Sequence, residues 1–176
     1  MKSKMLLVLC CFIGLVGCVN YDYPSNVKIG DSMPSASGQN LEGEPVNIPQ
    51  DFLGEPTLLL LGYKQDSQFD IDRWLIGLDM TNTQVAVYEI PSIQGMFPRM
   101  FSTVIDSGMR KGIPKALWKG VVTVYEDGDK IQRFTGNQNP NNARVILLDT
   151  QGDIVYFYDA GFAVSALNAL RSQLVE

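Results

Sequence analysis

Thr57-Leu58-Leu59-Leu60-Leu61 is an unbroken apolar stretch, set off in front by Gly54-Glu55-Pro56. A strand with one wet face alternates apolar and polar residues; a continuous run needs burial on both faces. The run is too short for an ordinary helix, and the glycine and proline before it fix its start. It therefore belongs in the middle of a sheet that is covered on both sides, and the rest of the chain has to supply the cover. With 176 residues, 45% of them hydrophobic and 19% charged, there is enough apolar material for one domain with such a core.

The flanking patterns provide the other layers. Ile29 to Pro49 carries Leu41, Val46 and Ile48 among glycines and prolines, a hairpin turning at Gly43. Ser67-Gln68-Phe69-Asp70 has capping-box spacing, and Ile71, Trp74, Leu75 and Leu78 follow at helical intervals. Gln84 to Ile90 alternates as a strand, with Val85, Val87 and Glu89 on one side. Ser92 opens a second helix bearing Phe97, Phe101, Val104, Ile105 and Met109, with Pro98 in its first turn. Val121 to Tyr125 is a further strand and Glu126 to Asp129 a turn; Ile131 to Phe134 fits no single pattern. Arg144–Leu148 and Ile154–Tyr158 form a hairpin about Asp149–Asp153, and a helix with Ala163, Leu167, Leu170 and Leu174 on one face follows Gly161. The order predicts an α/β domain, a mixed β-sheet flanked by helices on both faces with an N-terminal β-hairpin.

The N-terminus reads separately. Lys2 and Lys4 precede an apolar stretch, Met5 to Val16, shorter than the ~20 residues that span a bilayer and of signal-peptide form. Leu15-Val16-Gly17-Cys18 resembles the bacterial lipobox. The resemblance implies a diacylglyceryl group on the Cys18 thiol and cleavage before it. The domain expectation is then a signal peptide at 1–17, a lipid-anchored tether at 18–28 and a folded domain at 29–176. Val19, where an aspartate tends to mark inner-membrane retention, points to the periplasmic face of the outer membrane for a Gram-negative host. Removing residues 1–17 takes away Lys2 and Lys4 and no acid, so the net charge moves from −5 to −7. An acidic domain without a basic cluster does not suit nucleic acid or docking on anionic lipid, so the lipidated N-terminus is the expected membrane partner.

Cysteine and histidine exclude whole chemistries. The three cysteines are Cys10, Cys11 and Cys18, and there is no histidine. Beyond Cys18 the chain has no thiolate for peroxide or disulfide exchange, no imidazole-assisted nucleophile and no Cys/His zinc site. No cofactor is expected.

Ile29-Gly30-Asp31-Ser32-Met33-Pro34, Leu41-Glu42-Gly43-Glu44-Pro45-Val46, Gly54-Glu55-Pro56-Thr57-Leu58-Leu59 and Leu147-Leu148-Asp149-Thr150-Gln151-Gly152-Asp153-Ile154-Val155 stand in that order. Together they resemble the thioredoxin-like superfamily, in particular its peroxiredoxin and thiol-reductase lipoprotein branch. Gly54 to Leu61, with the acidic helix and Trp74 beyond, has a more distant likeness to thioredoxin-like assembly factors of mitochondrial ATP synthase. The resemblance places a reactive cysteine after the first core strand, where this chain has Tyr63 to Ser67. It also places a cis-proline before the final hairpin, where this chain has Asn142-Ala143, Pro140 lying about a turn earlier. It thus implies the fold and a substrate groove, without the redox residues.

The leading expectation is a redox-inactive, non-enzymatic module binding a protein partner in the cell envelope. Tyr63, Gln65, Asn137, Asn139 and Asn142 would form its contact face, aromatic ring and amides meeting a partner's backbone. One alternative is a ligand or Cu(I) site on Met96, Met100 and Met109, thioether ligands at M-x-x-x-M spacing, which core packing equally explains. Another is non-thiol catalysis by Asp127 and Asp129, which a simple turn also explains. Asp66, Ser67, Asp70 and Asp72 read as a helix cap with solvated first-turn acids, or as a cation-binding rim.

Overall fold

The computed structural model describes residues 22–95 and 100–174. Thr57–Gly62 forms β3, the centre of a four-stranded sheet with Ala86–Pro91 (β4), Arg144–Leu148 (β6) and Ile154–Tyr158 (β7), in the order β4-β3-β6-β7. β3 pairs parallel with β4 and antiparallel with β6, and β6 pairs antiparallel with β7. Ala36–Asn40 (β1) and Pro45–Ile48 (β2) make the expected hairpin, and Val122–Thr123 (β5) completes a second sheet in the order β2-β1-β5. Parallel bridges from Glu89 to Val121 and from Ser92 to Val124 join the two sheets.

Alternation along β3 sorts the core into two layers. Leu58 and Leu60, with Val145 and Leu147 of β6, face Ile71, Trp74 and Leu78 of α1 (Gln68–Met80) and Ala166, Leu167 and Leu170 of α4 (Val164–Ser172). Leu59 and Leu61, with Ile146 and Leu148, face Ile48, Phe52, Val122, Val124 and Ile131. The leucine run is fully buried on both faces, as its lack of alternation requires. α1 and α4 approach closely at Gly77, where a Cβ would lie 3.0 Å from Leu167 and Phe162.

Three expectations are corrected. Ile131 to Phe134 lies in a helix, α3 (Gly128–Thr135), that starts inside the stretch read as a turn. Gly128 is needed there because a Cβ would meet the Ile93 carbonyl oxygen at 2.4 Å. Ser92 is buried beside β5 with its hydroxyl donating to the Gly128 carbonyl at 3.4 Å, and the helix described beyond it, α2, runs Ser102–Gly112. Phe97 and Pro98 lie outside the described residues. Finally, α2 buries only Asp106, which accepts a hydrogen bond from Tyr125 Oη at 2.8 Å; Arg110 Nε ties the helix to the Leu41 carbonyl at 2.7 Å. Among the described residues no helix is long and apolar enough to cross a membrane.

Candidate functional site

The site is built where β3 hands over to α1 and where the loop before β6 comes alongside. After Gly62 and Tyr63 the backbone makes a tight 3-10 turn, Gln65–Ser67, before α1. Lys64, Gln65 and Asp66 are exposed, while Ser67 is buried. The turn tucks Ser67 under the strand end, where a Cβ on Gly62 would meet its Oγ at 2.6 Å. Its hydroxyl donates to the Lys64 carbonyl at 2.6 Å and makes no side-chain cap on α1. The capping-box spacing therefore marks the helix start without forming the box, and the hydroxyl closes a local ring.

Asp70 departs from the reading of a solvated first-turn acid. It is 4% exposed, and its carboxylate accepts the Ala143 N–H at 2.9 Å and the Phe162 N–H at 2.7 Å. One side chain thus joins α1 to the loops before β6 and before α4. Ala143 stands where the resemblance implies a proline, and the N–H that Asp70 holds is the group a proline lacks.

The next residue is a second buried charge at this junction. Arg144 opens β6 with 0% exposure. Its Nε donates to the Gly136 carbonyl at 2.9 Å, and its Nη1 donates to the carbonyls of Asn139 at 2.6 Å and Asn142 at 2.9 Å. The guanidinium lies 4.8 Å from the centroid of the Tyr63 ring. The loop that precedes β6 is thus wrapped around one cation, with three of its carbonyl dipoles turned inward and the side chains of Gln138, Asn139 and Asn141 exposed. Burial lowers the Arg144 pKa, against the opposing pull of Tyr63 and Asp159. Burial pushes the Tyr63 phenol up to about 12, opposed by its hydrogen bond with Thr135 and by Arg144.

The five residues expected from the sequence to form a contact face are therefore not equivalent. Tyr63 is half-buried between Thr135 and Arg144. Asn142 donates to the Asp159 carbonyl at 3.0 Å, and Asn137 accepts the Tyr23 N–H at 2.7 Å. Gln65, on the turn after β3, and Asn139, at the crest of the loop, present exposed side chains. Replacing Tyr63 by alanine consequently removes packing as well as surface. Of the methionines, Met100 is 70% exposed ahead of α2, Met109 is half-buried within it, and Met96 lies outside the described residues. Asp127 accepts the Ser37 N–H at 2.9 Å, and Asp129 pairs with Arg133 at 2.6 Å and takes a hydrogen bond from Gln94. Both acids already serve local contacts at the start of α3. Among the described residues, no group of three or more His, Cys, Asp or Glu side chains is placed to hold a metal ion.

Glu89 on β4 borders the same junction. Its carboxylate accepts from Gln68 Nε2 at 3.1 Å, and that nitrogen also donates to Asp72 at 2.9 Å. Burial raises the Glu89 pKa above its ordinary 4.5; the Gln68 bond opposes this and Asp72 adds to it. The folded state then holds the proton more tightly than the unfolded chain. Stability linked to Glu89 is full below about pH 4.5 and is lost as pH rises through the folded value. Glu89→Gln is expected to raise the melting temperature at pH 7 and to leave it nearly unchanged at pH 4. A melting temperature lowered at pH 7 would show that the charged form contributes net stability.

No family model matches the sequence, and no curated protein matches it. Solved structures do match. A thiol peroxidase from Chromobacterium violaceum superposes with a TM-score of 0.59 at 13% identity, covering 88% of this chain and 91% of that one. A putative protein disulfide isomerase from Bacteroides thetaiotaomicron gives 0.57 at 16%, covering 89% and 93%. Copper-bound yeast Sco1 gives 0.57 at 9%, covering 85% and 96%. Identities this low establish the architecture alone: the domain has a thioredoxin-like fold, a mixed sheet flanked by helices.

Proposed function

We propose that this chain is a lipid-anchored, redox-inactive thioredoxin-like module that holds a protein partner in the cell envelope. The observation that carries the reading is the junction after β3. On this fold it is built from Lys64, Gln65, Asp66 and Ser67, with the Ser67 hydroxyl committed to the Lys64 carbonyl. The lipobox-like Leu15–Cys18 supports anchoring, and the absence of cysteine beyond Cys18 supports redox inactivity. For partner binding, Met100, Phe101 and Val104 are 70%, 55% and 67% exposed at one end of α2, an apolar cost in a lone domain.

The test takes the full chain in a bacterial envelope with a photo-crosslinking residue at Val104, within that exposed patch. One discrete partner adduct is expected at a membrane-retained protein. Cys18→Ser is expected to stop lipoprotein processing, and the purified domain to turn over neither peroxide nor insulin disulfides. Thiol-independent turnover, or normal processing of Cys18→Ser, would overturn the reading. Stoichiometric Cu(I) uptake that is lost in Met100→Leu and Met109→Leu would replace it with the copper-binding one, which the Sco1 likeness brings into view.

A further inference from the structure

The segment after the lipidation site is not a loose tether throughout. Tyr23 N–H donates to Asn137 Oδ1 at 2.7 Å and the Asn137 N–H donates back to the Tyr23 carbonyl at 2.9 Å. Asn26 N–H donates to the Phe134 carbonyl at 2.9 Å, and its side chain donates to the Arg133 carbonyl at 3.0 Å. The Arg133 guanidinium covers the Tyr23 ring at 4.5 Å from its centroid, and Val27 packs on the core. The receiving surface is shaped for this. Gly136 has φ +78°, and a Cβ there would meet the Ser25 nitrogen at 2.6 Å. Only a glycine lets the leader lie this close.

The chain is therefore fixed to the body from Tyr23 onward. Only Val19 to Asp22 separate Tyr23 from Cys18. Five Cα–Cα steps reach at most about 18 Å, whatever their conformation. An anchor at Cys18 then holds the Tyr23 edge of the domain within that distance of the membrane, and the surface beside Tyr23 faces it. That surface includes the loop Gly136 to Asn142, in which no residue carries a charge. In a domain of net charge −7 after processing, an uncharged amide loop is the part that approaches an anionic headgroup layer without repulsion. We infer that the face formed by Tyr23, Arg133 and the loop Asn137–Asn142 lies against the headgroups of the bilayer that holds the anchor. The inference rests on the lipid-anchor reading above. It leaves the opposite end of β6, with the exposed Gln151 in the following turn, directed away from the membrane.

The test exploits the lack of any cysteine beyond Cys18, whose sulfur the lipid blocks. Asn139→Cys and Gln151→Cys each give one labelling site. The lipidated protein, carrying nitrobenzoxadiazole at either site, is reconstituted into phosphatidylethanolamine–phosphatidylglycerol vesicles containing a headgroup-nitroxide lipid. Quenching at position 139 is expected to be several-fold stronger than at 151. A long Gly-Ser insertion between Asn20 and Tyr21 is expected to abolish the difference. Equal or reversed quenching in protein that floats with the vesicles would overturn the orientation and leave the anchor standing. A difference that survives the insertion would overturn the short leader as its cause. Failure to float, with no diacylglyceryl mass on Cys18, would remove the anchor and this inference with it.

Discussion

Arg144→Ala is expected to destabilise the domain by about 4 kcal/mol. The side chain makes three hydrogen bonds to the carbonyls of Gly136, Asn139 and Asn142 and stacks on Tyr63. Bonds to a charged donor are worth roughly 1.5–3 kcal/mol each, so their loss dominates. Relief from burying a guanidinium offsets part of it, because no carboxylate pairs with Arg144 in the described structure. Carbonyls in a near-surface loop also recover some bonding to water. In a chain of this size each kcal/mol moves the melting temperature by roughly 2–4 °C, so a fall of about 8–16 °C is expected. Arg144→Lys should restore less than half, since an ammonium cannot span carbonyls arranged around a planar fork. Urea unfolding of the soluble domain measures it; a loss under about 1 kcal/mol would mean the loop holds its shape without the cation.

Asp70→Ala should be nearly as damaging. It strands the N–H groups of Ala143 and Phe162, at roughly 1–3 kcal/mol each where water does not reach them. Asp70→Asn keeps one acceptor oxygen and is expected to recover about half of the loss. Amide exchange separates this from a general loosening: Ala143 and Phe162 should lose protection out of proportion to the rest of β6 and α4. Unchanged protection at both amides would remove Asp70 from its role. Because Asp70 holds Ala143, the residue next to Arg144 at the start of β6, the double substitution should cost less than the two single effects added together.

The sequence made the layers legible wherever periodicity was strong. The leucine run of β3, the hairpin β6–β7 and the stripe Ile71, Trp74, Leu78 are patterns with one solution. α3 was hidden because its helical face is short and begins with Gly128, whose place is set by contact with Ile93 and not by local preference. The candidate site was legible as a location and misread in its working parts. Asp70 lies four residues before Trp74 and eight before Leu78, on the buried stripe. A carboxylate in that phase signals a bonded interior acid more than a solvated cap. Arg144 likewise heads a strand that is otherwise wholly apolar. Neither signal names the partners, which are backbone groups brought in from distant loops. The docking of Tyr23 to Asn137 has no periodic signature at all; only glycine at position 136 hints that another chain segment passes there.

The leader's contact with the body also sets an order of events. Tyr23 and Asn137 are 114 positions apart. As the chain emerges from its N-terminus, residues 22–27 wait for more than a hundred successors before their seat exists. A closure over that separation comes late in folding, after the local hairpins and helices. If Cys18 is the lipidated residue, its modification precedes that closure or finds the neighbouring segment still free. Seating then leaves four residues, Val19 to Asp22, between Cys18 and the seated segment. The chain would thus be accessible to processing while young and drawn close to its membrane once mature, with no switch other than the completion of its own fold.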